Sequence, residues 1–113
     1  MAAPMGERSR TGVALLGSTG SIGRQTVDVL TSAEAGRFDV VALAAGRDAA
    51  TVTEQAEQLR PEVVWLADPD AMARLQLTDG VRRLDADDAM TQMATRPDVD
   101  LVIVATGGVV SLR

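Results

Sequence analysis

Apolar residues along this chain gather in short runs, separated by stretches in which they recur every three or four positions. The first run, Thr11–Leu16 (TGVALL), ends abruptly at Gly17-Ser18-Thr19-Gly20 and predicts a buried strand entering a tight loop. A helix is then expected to open at Ser21 or Ile22 and run to about Thr31. Ile22, Thr26, Val29 and Leu30 fall at i, i+4, i+7 and i+8 and are assigned to its inward face. Gly36 breaks the chain, and residues 38–44 (FDVVALA) predict a second buried strand that ends at Gly46. Asp48 is placed to cap a second helix with Val52, Ala56 and Leu59 inward, and Pro61 stops it.

Residues 63–67 (VVWLA) predict a third strand. Asp68 followed by Pro69 is a good helix start, because proline at the first helical position lacks an N–H that would have had no partner. That helix is expected to reach about Leu77, ahead of a turn at Thr78-Asp79-Gly80. Residues 81–84 predict a short fourth strand and residues 85–95 a fourth helix. In that helix Ala89, Met90, Met93 and Ala94 are inward, and the acids crowd the first turn, where the helix dipole favours them. A fifth strand, residues 99–105 (VDLVIVA), leads into Thr106-Gly107-Gly108. Strands alternating with helices through short connections predict an α/β fold: a doubly wound, open parallel sheet with helices on both faces.

Composition agrees. With 113 residues there is room for one compact domain. Trp65 and Phe38 are the only aromatic residues, so the core must be aliphatic, as buried parallel strands are. Trp65, Met72, Met90 and Met93 read as packing residues. Sixteen acidic residues against 11 basic ones, all arginine, give a net charge of −5, and no basic stripe suggests a groove for nucleic acid. Cysteine and histidine are absent, which excludes disulfides, zinc sites with those ligands and histidine-based catalysis within these residues. The apolar run at residues 40–45 falls far short of the roughly 20 residues that span a bilayer, so no membrane partner is expected. Residues 1–10 lack the apolar stretch of a secretory signal and read as a disordered tail, and the protein as cytoplasmic. Asp85, Asp87 and Asp88 read as solvated helix-start acids rather than metal ligands. No residue stands out as a general acid, a base or a metal ligand.

The candidate chemistry lies in GSTGSIG, residues 17–23. A chain leaving a buried strand and at once starting a helix must turn sharply, which glycine permits. Glycine also admits a phosphate close to the main chain, where free N–H groups and the positive end of the helix bind it. Gly17, Gly20 and Gly23 stand where that logic operates: Gly20 at the pyrophosphate, Gly23 where the helix packs tightly. Thr19 and Ser21 add hydroxyls. The spacing is G-x-x-G-x-x-G, a weak signal alone, but its place between a strand and a helix is the setting that a Rossmann-type dinucleotide site requires. A Walker loop is excluded, because the chain has no lysine.

An NAD-selective site usually carries an acid at the tip of the second strand, to bond the ribose 2′-hydroxyl. Here that strand ends in Ala44-Ala45-Gly46-Arg47, and a guanidinium suits a 2′-phosphate. NADP is therefore the expected cofactor. Asp48, next along, complicates this unless its carboxylate turns back to cap the helix. Thr106, after the last strand, is expected near the nicotinamide half.

Residues 17–30, GSTGSIGRQTVDVL, together with residues 38–47, FDVVALAAGR, resemble the 1-deoxy-D-xylulose 5-phosphate reductoisomerases of non-mevalonate isoprenoid synthesis. The likeness covers roughly residues 11–108, resting on pattern rather than motif between residues 49 and 98. It implies NADPH held by Thr19, Gly20, Ser21 and Ile22 at the phosphates, and by Gly46, Arg47 and Asp48 at the 2′-phosphate. The family usually has asparagine or another neutral polar residue where this chain has Asp48, which leaves the choice of NADP over NAD open.

A second departure follows Gly108. There the family runs towards a Pro-Thr pair, whereas this chain reads Val109-Val110-Ser111-Leu112-Arg113. The family's A-N-K-E stretch, the acids of its divalent-metal (Mg or Mn) site and the histidines near its substrate phosphate do not occur here. The resemblance thus implies an amino-terminal cofactor domain, residues 11–113, without the catalytic domain and inactive alone. The full enzyme would be a homodimer that converts a small sugar phosphate, 1-deoxy-D-xylulose 5-phosphate, to 2-C-methyl-D-erythritol 4-phosphate. Two alternatives stay open: the cofactor domain of another NADP reductase, of the semialdehyde dehydrogenase or dihydrodipicolinate reductase type, or a non-catalytic NADP-sensing module.

Overall fold

Aliphatic side chains without polar interruption favour strands buried on both faces, and the centre of the sheet is made of them. Val13, Ala14 and Leu15 of β1 (Thr11–Leu16) and Ala42 and Leu43 of β2 (Phe38–Ala45) are fully buried. The computed structural model describes residues 10–32 and 37–105. Gly36, Thr106-Gly107-Gly108 and nearly all of the expected tail lie outside them. The remaining elements are α1 (Ser21–Thr31), α2 (Ala49–Leu59), β3 (Val63–Leu66), α3 (Pro69–Arg74), β4 (Arg82–Arg83), α4 (Ala89–Ala94) and β5 (Leu101–Val104).

All five strands are parallel, in the order β4-β3-β2-β1-β5. Alternate residues of β1 and β2 feed two cores. Val13, Leu15, Leu43 and Ala45 pack with α1, α2 and α3 on one face, while Ala14, Leu16, Ala42 and Ala44 meet Met93 of α4 on the other. A register slip opposite Val13 and Ala14 leaves Val41 as an extra residue in β2. The bulge keeps matching residues of the two strands on the same face. The chain steps outward from β1 to β4, then returns through α4 to β5 on the far side of β1. Ligands of open α/β sheets bind outside the carboxyl ends of the strands at such a reversal.

The α/β class and the element order are those expected, but several details differ. On α1 the buried residues are Gly23, Val27 and Leu30, whereas Ile22 and Val29 are 51% and 66% exposed. The helix is rotated by about one position from the expected face. The reason is Gly23, whose contact with the preceding loop sets the rotation. Helix α3 ends at Arg74, not near Leu77: Leu75 is extended, and the Arg83 guanidinium bonds the carbonyls of Met72 (3.1 Å) and Leu75 (2.5 Å). Those carbonyls need no further helical turn to satisfy them. Helix α4 starts only at Ala89, so Asp85, Asp87 and Asp88 precede it, and Met93 is buried while Met90 and Ala94 are half-buried. Helix α2 stops at Arg60, which takes a left-handed φ of 54° and returns its N–H to the Ala56 carbonyl just before Pro61.

Candidate functional site

Between β1 and α1 the backbone turns at Gly17, whose φ of +96° is costly for any residue with a Cβ. The turn is held from three directions. The N–H groups of Gly17 and Ser18 both donate to the Ala44 carbonyl at the tip of β2, at 2.7 and 3.1 Å. The carbonyl of Ser18, a fully buried residue, accepts a 2.9 Å bond from Nε2 of Gln55, itself buried on α2. Finally, Gly23 lies against the loop so closely that a Cβ there would overlap the Gly17 carbonyl and approach Ser18 C and Cα at 2.7 and 2.8 Å.

Anchored in this way, the loop delivers α1 with its N-terminus exposed. Gly20 is the N-cap in extended conformation; it offers no side-chain cap, and no acid lies in the first turn. The first N–H to find a carbonyl is that of Arg24, bonded to Gly20 O at 2.8 Å. The N–H groups of Thr19, Gly20, Ser21 and Ile22 have no protein partner among the described residues. A row of free donors at the positive end of an 11-residue helix is chemically suited to an anion.

Thr19 and Gly20 line a cleft of about 420 Å³ at the carboxyl ends of the strands, bounded also by Ala45, Gly46, Trp65 and Met90. Its wall is largely apolar carbon beside one strip of donors, the usual make-up of a small-molecule pocket. Gly46 and Arg47 are exposed at the tip of β2, and the Arg47 side chain has no hydrogen-bond or ion-pair partner among the described residues.

Asp48 behaves as the N-cap expected of it. Oδ1 accepts the Thr51 N–H at 3.1 Å, and Oδ2 accepts the Thr51 hydroxyl at 2.8 Å. These two bonds hold its carboxyl below the ordinary aspartate value against a smaller opposing effect of burial, and the nearby Arg24 charge lowers it further by the least amount. Arg24 also reaches Oδ2 through Nη2 at 3.2 Å, while its Nε donates to Thr19 O at 2.8 Å. Residues 17–23 and 46–48 are thus brought to one end of the sheet; Thr106 lies outside the described residues. Sequence reasoning missed Gln55 and Arg24. The only signal for Gln55 was a polar residue beside Val52 and Ala56 on an inward stripe.

A parallel sheet whose strand order reverses at β1, with a glycine turn leading straight from β1 into α1, defines a Rossmann-type α/β domain. Comparison with known proteins carries the assignment further. The family model of 1-deoxy-D-xylulose 5-phosphate reductoisomerase matches residues 13–113, and the chain belongs to that family. The reductoisomerase of Anaeromyxobacter sp. (strain K) is 42% identical over 103 residues, which are 89% of this chain and 26% of that protein. That of Symbiobacterium thermophilum is 38% identical over 111 residues, 92% of this chain and 28% of the relative.

Among solved structures, the Zymomonas mobilis reductoisomerase in complex with NADPH aligns with a TM-score of 0.66 at 27% identity, over 80% of this chain and 24% of that one. A reductoisomerase in complex with NADPH, fosmidomycin and magnesium aligns at 0.72 and 27% identity, over 81% and 23%. The chain therefore spans about a quarter of the length of the relatives it matches. No described helix is long and apolar enough to cross a membrane.

Proposed function

We propose that residues 11–113 are the NADPH-binding domain of a 1-deoxy-D-xylulose 5-phosphate reductoisomerase, and that residues 17–23 and 46–48 are its cofactor site. The observation that carries this reading is the row of unpartnered N–H groups from Thr19 to Ile22 at the head of α1, beside a cleft lined by Thr19 and Gly20. A pyrophosphate matches those donors in charge and in acceptor chemistry. Gly17 and Gly23 hold the turn open to it, and the Ser21 hydroxyl stands at the first helical position as a further donor. Ile22, exposed on the same turn, contributes its N–H. Gly46 leaves the tip of β2 bare, since a Cβ there would meet nothing within 4 Å, and Arg47 is the cation for a 2′-phosphate. Thr106 is proposed on the nicotinamide side.

When bound, the nicotinamide supplies hydride to the reaction, and this domain orients it. In the full enzyme the reaction would rearrange and reduce the sugar phosphate to 2-C-methyl-D-erythritol 4-phosphate, with a divalent cation held by residues other than those described here. That a solved relative is in complex with NADPH, fosmidomycin and magnesium supports the presence of such a cation. A cytoplasmic homodimer completes the proposal.

Calorimetric titration of the chain with NADPH and, separately, NADH tests the cofactor site. Saturable binding that prefers NADPH, and that weakens about tenfold or more in Arg47→Ala, is the expected result; it corresponds to loss of one charge-assisted bond. If a chain shown by circular dichroism to be folded binds neither nucleotide, the reading fails.

A further inference from the structure

The tip of β2 poses an electrostatic problem. If the cofactor reading above is right, a 2′-phosphate approaches Arg47, and the carboxylate of Asp48 is the next side chain along. An aspartate free to turn towards the ribose would repel the phosphate of NADPH and could bond the 2′-hydroxyl of NADH instead. The preference of such a site depends on where that carboxylate is held.

Arg24 lies on another element, α1, 24 residues earlier in the chain. Its guanidinium bridges two regions: Nε donates to Thr19 O on the glycine loop at 2.8 Å, and Nη2 donates to Asp48 Oδ2 at 3.2 Å and to Thr51 Oγ1 at 3.4 Å. With Thr51 on its other side, Asp48 has both oxygens engaged and its charge matched. Exposed arginine–carboxylate pairs usually contribute little to stability. This one has a different consequence, because it sits between the loop that takes the pyrophosphate and the residue that takes the 2′-phosphate. The same fork of donors ties Thr19 of the loop to Asp48, the neighbour of Arg47.

We infer that Arg24 is a positioning residue that sets cofactor preference: by holding the Asp48 carboxylate against the start of α2, it removes the negative charge that would favour NADH and leaves Arg47 to receive a 2′-phosphate. This inference rests on the cofactor-site reading and adds to it a residue that touches neither phosphate directly.

The test is a double-mutant cycle on the 113-residue chain, with Arg24→Gln, Asp48→Asn and the pair, titrated with NADPH and with NADH. Glutamine removes the charge, and asparagine keeps the cap because it is as good an N-cap as aspartate. Arg24→Gln is expected to lower the NADPH-over-NADH ratio about tenfold, with most of the loss in NADPH affinity. Adding Asp48→Asn should restore most of that ratio, because an amide has no charge to hold away.

Equal weakening of both cofactors by Arg24→Gln would mean that Arg24 only steadies the loop through Thr19, and would overturn the inference. A falling ratio that Asp48→Asn does not restore overturns it as well, since Arg24 would then act on the phosphate itself. So does an unchanged ratio in a wild type that prefers NADPH, which leaves the cofactor site standing. Binding of neither cofactor by the folded wild type removes the site and the inference together. Thermal melts of each variant separate these results from unfolding, and Arg24→Lys, which keeps the charge without the fork, should retain an intermediate ratio.

Discussion

Replacing Gly23 by alanine sets two opposed effects against each other. Alanine is the better helix former, and at an exposed interior position the exchange would stabilise by about 1 kcal/mol. At Gly23, however, the new methyl would overlap the Gly17 carbonyl and stand 2.7 and 2.8 Å from Ser18 C and Cα. Those atoms are backbone, and they cannot retreat easily: Gly17 and Ser18 are bonded to Ala44 O on one side and Ser18 to Gln55 on the other. Overpacking of this kind costs about 1–3 kcal/mol, more where nothing yields. The upper part of that range applies here, so a net destabilisation of about 1–2 kcal/mol is expected once helix propensity is subtracted. For a domain of this size that lowers the midpoint of thermal unfolding by roughly 5–15 °C. Gly46→Ala is the control, because its Cβ would meet no atom within 4 Å and its φ is not positive. Circular dichroism melts of the two variants give the answer. A Gly23→Ala protein as stable as the wild type would refute the claim that this contact sets the rotation of α1 and the shape of the loop.

Asp48 supplies a pH prediction. Its folded pKa lies below the ordinary aspartate value of 3.8, chiefly because of the Thr51 N–H and hydroxyl, so the bonds stabilise the ionised form. That contribution is complete above about pH 4–5 and is lost as pH falls through the folded value. Melts from pH 7 to pH 3 should therefore show the wild type losing an advantage over Asp48→Ala, a cap deletion that costs about 1 kcal/mol at neutral pH; a gap that widens on acidification would contradict the assignment. Gln55 supplies another. Gln55→Glu places a carboxylate beside the Ser18 carbonyl where an N–H donor stood, so it should destabilise the chain by more than the roughly 1–3 kcal/mol of a lost buried hydrogen bond, and by more than the nearly isosteric Gln55→Leu, in urea unfolding. Equal stability of the two variants would show that Gln55 does not carry the loop.

The parts of the fold that were legible in the sequence are those decided locally. The aliphatic runs of β1 and β2 admit one reading, and Asp48 and Asp68 cap α2 and α3 through residues three positions on, at Thr51 and Ala71. The orientation of α1 was not decided locally. The set Ile22, Thr26 and Val29 and the set Gly23 and Val27 fit the same helical period, and both join Leu30. Choosing between them takes the contact of Gly23 with the loop, which periodicity does not register. The short elements failed for a similar reason. Arg83 ends α3 from 8 and 11 residues away by bonding its last carbonyls, and a polar residue in a nominal strand gives no sign of that task.

The candidate site divides along the same line. Its donors are main-chain groups placed by glycines, so their spacing could be read directly, and what was missing was whatever keeps those donors free. A loop that must present unpaired N–H groups cannot steady itself with them. It has to be held through its other bonds: the Gly17 and Ser18 N–H groups on Ala44, the Ser18 carbonyl on Gln55, the Thr19 carbonyl on Arg24. Each of these tethers comes from a different element, at separations of up to 37 residues for the side-chain bonds. The carbonyls of Ser18 and Thr19 are taken up by Gln55 and Arg24, while the N–H groups of Thr19 to Ile22 have no partner among the described residues. On the proposed reading of the loop as an anion site, that division of labour supplies the order before any ligand arrives, so that it need not be drawn from the free energy of binding.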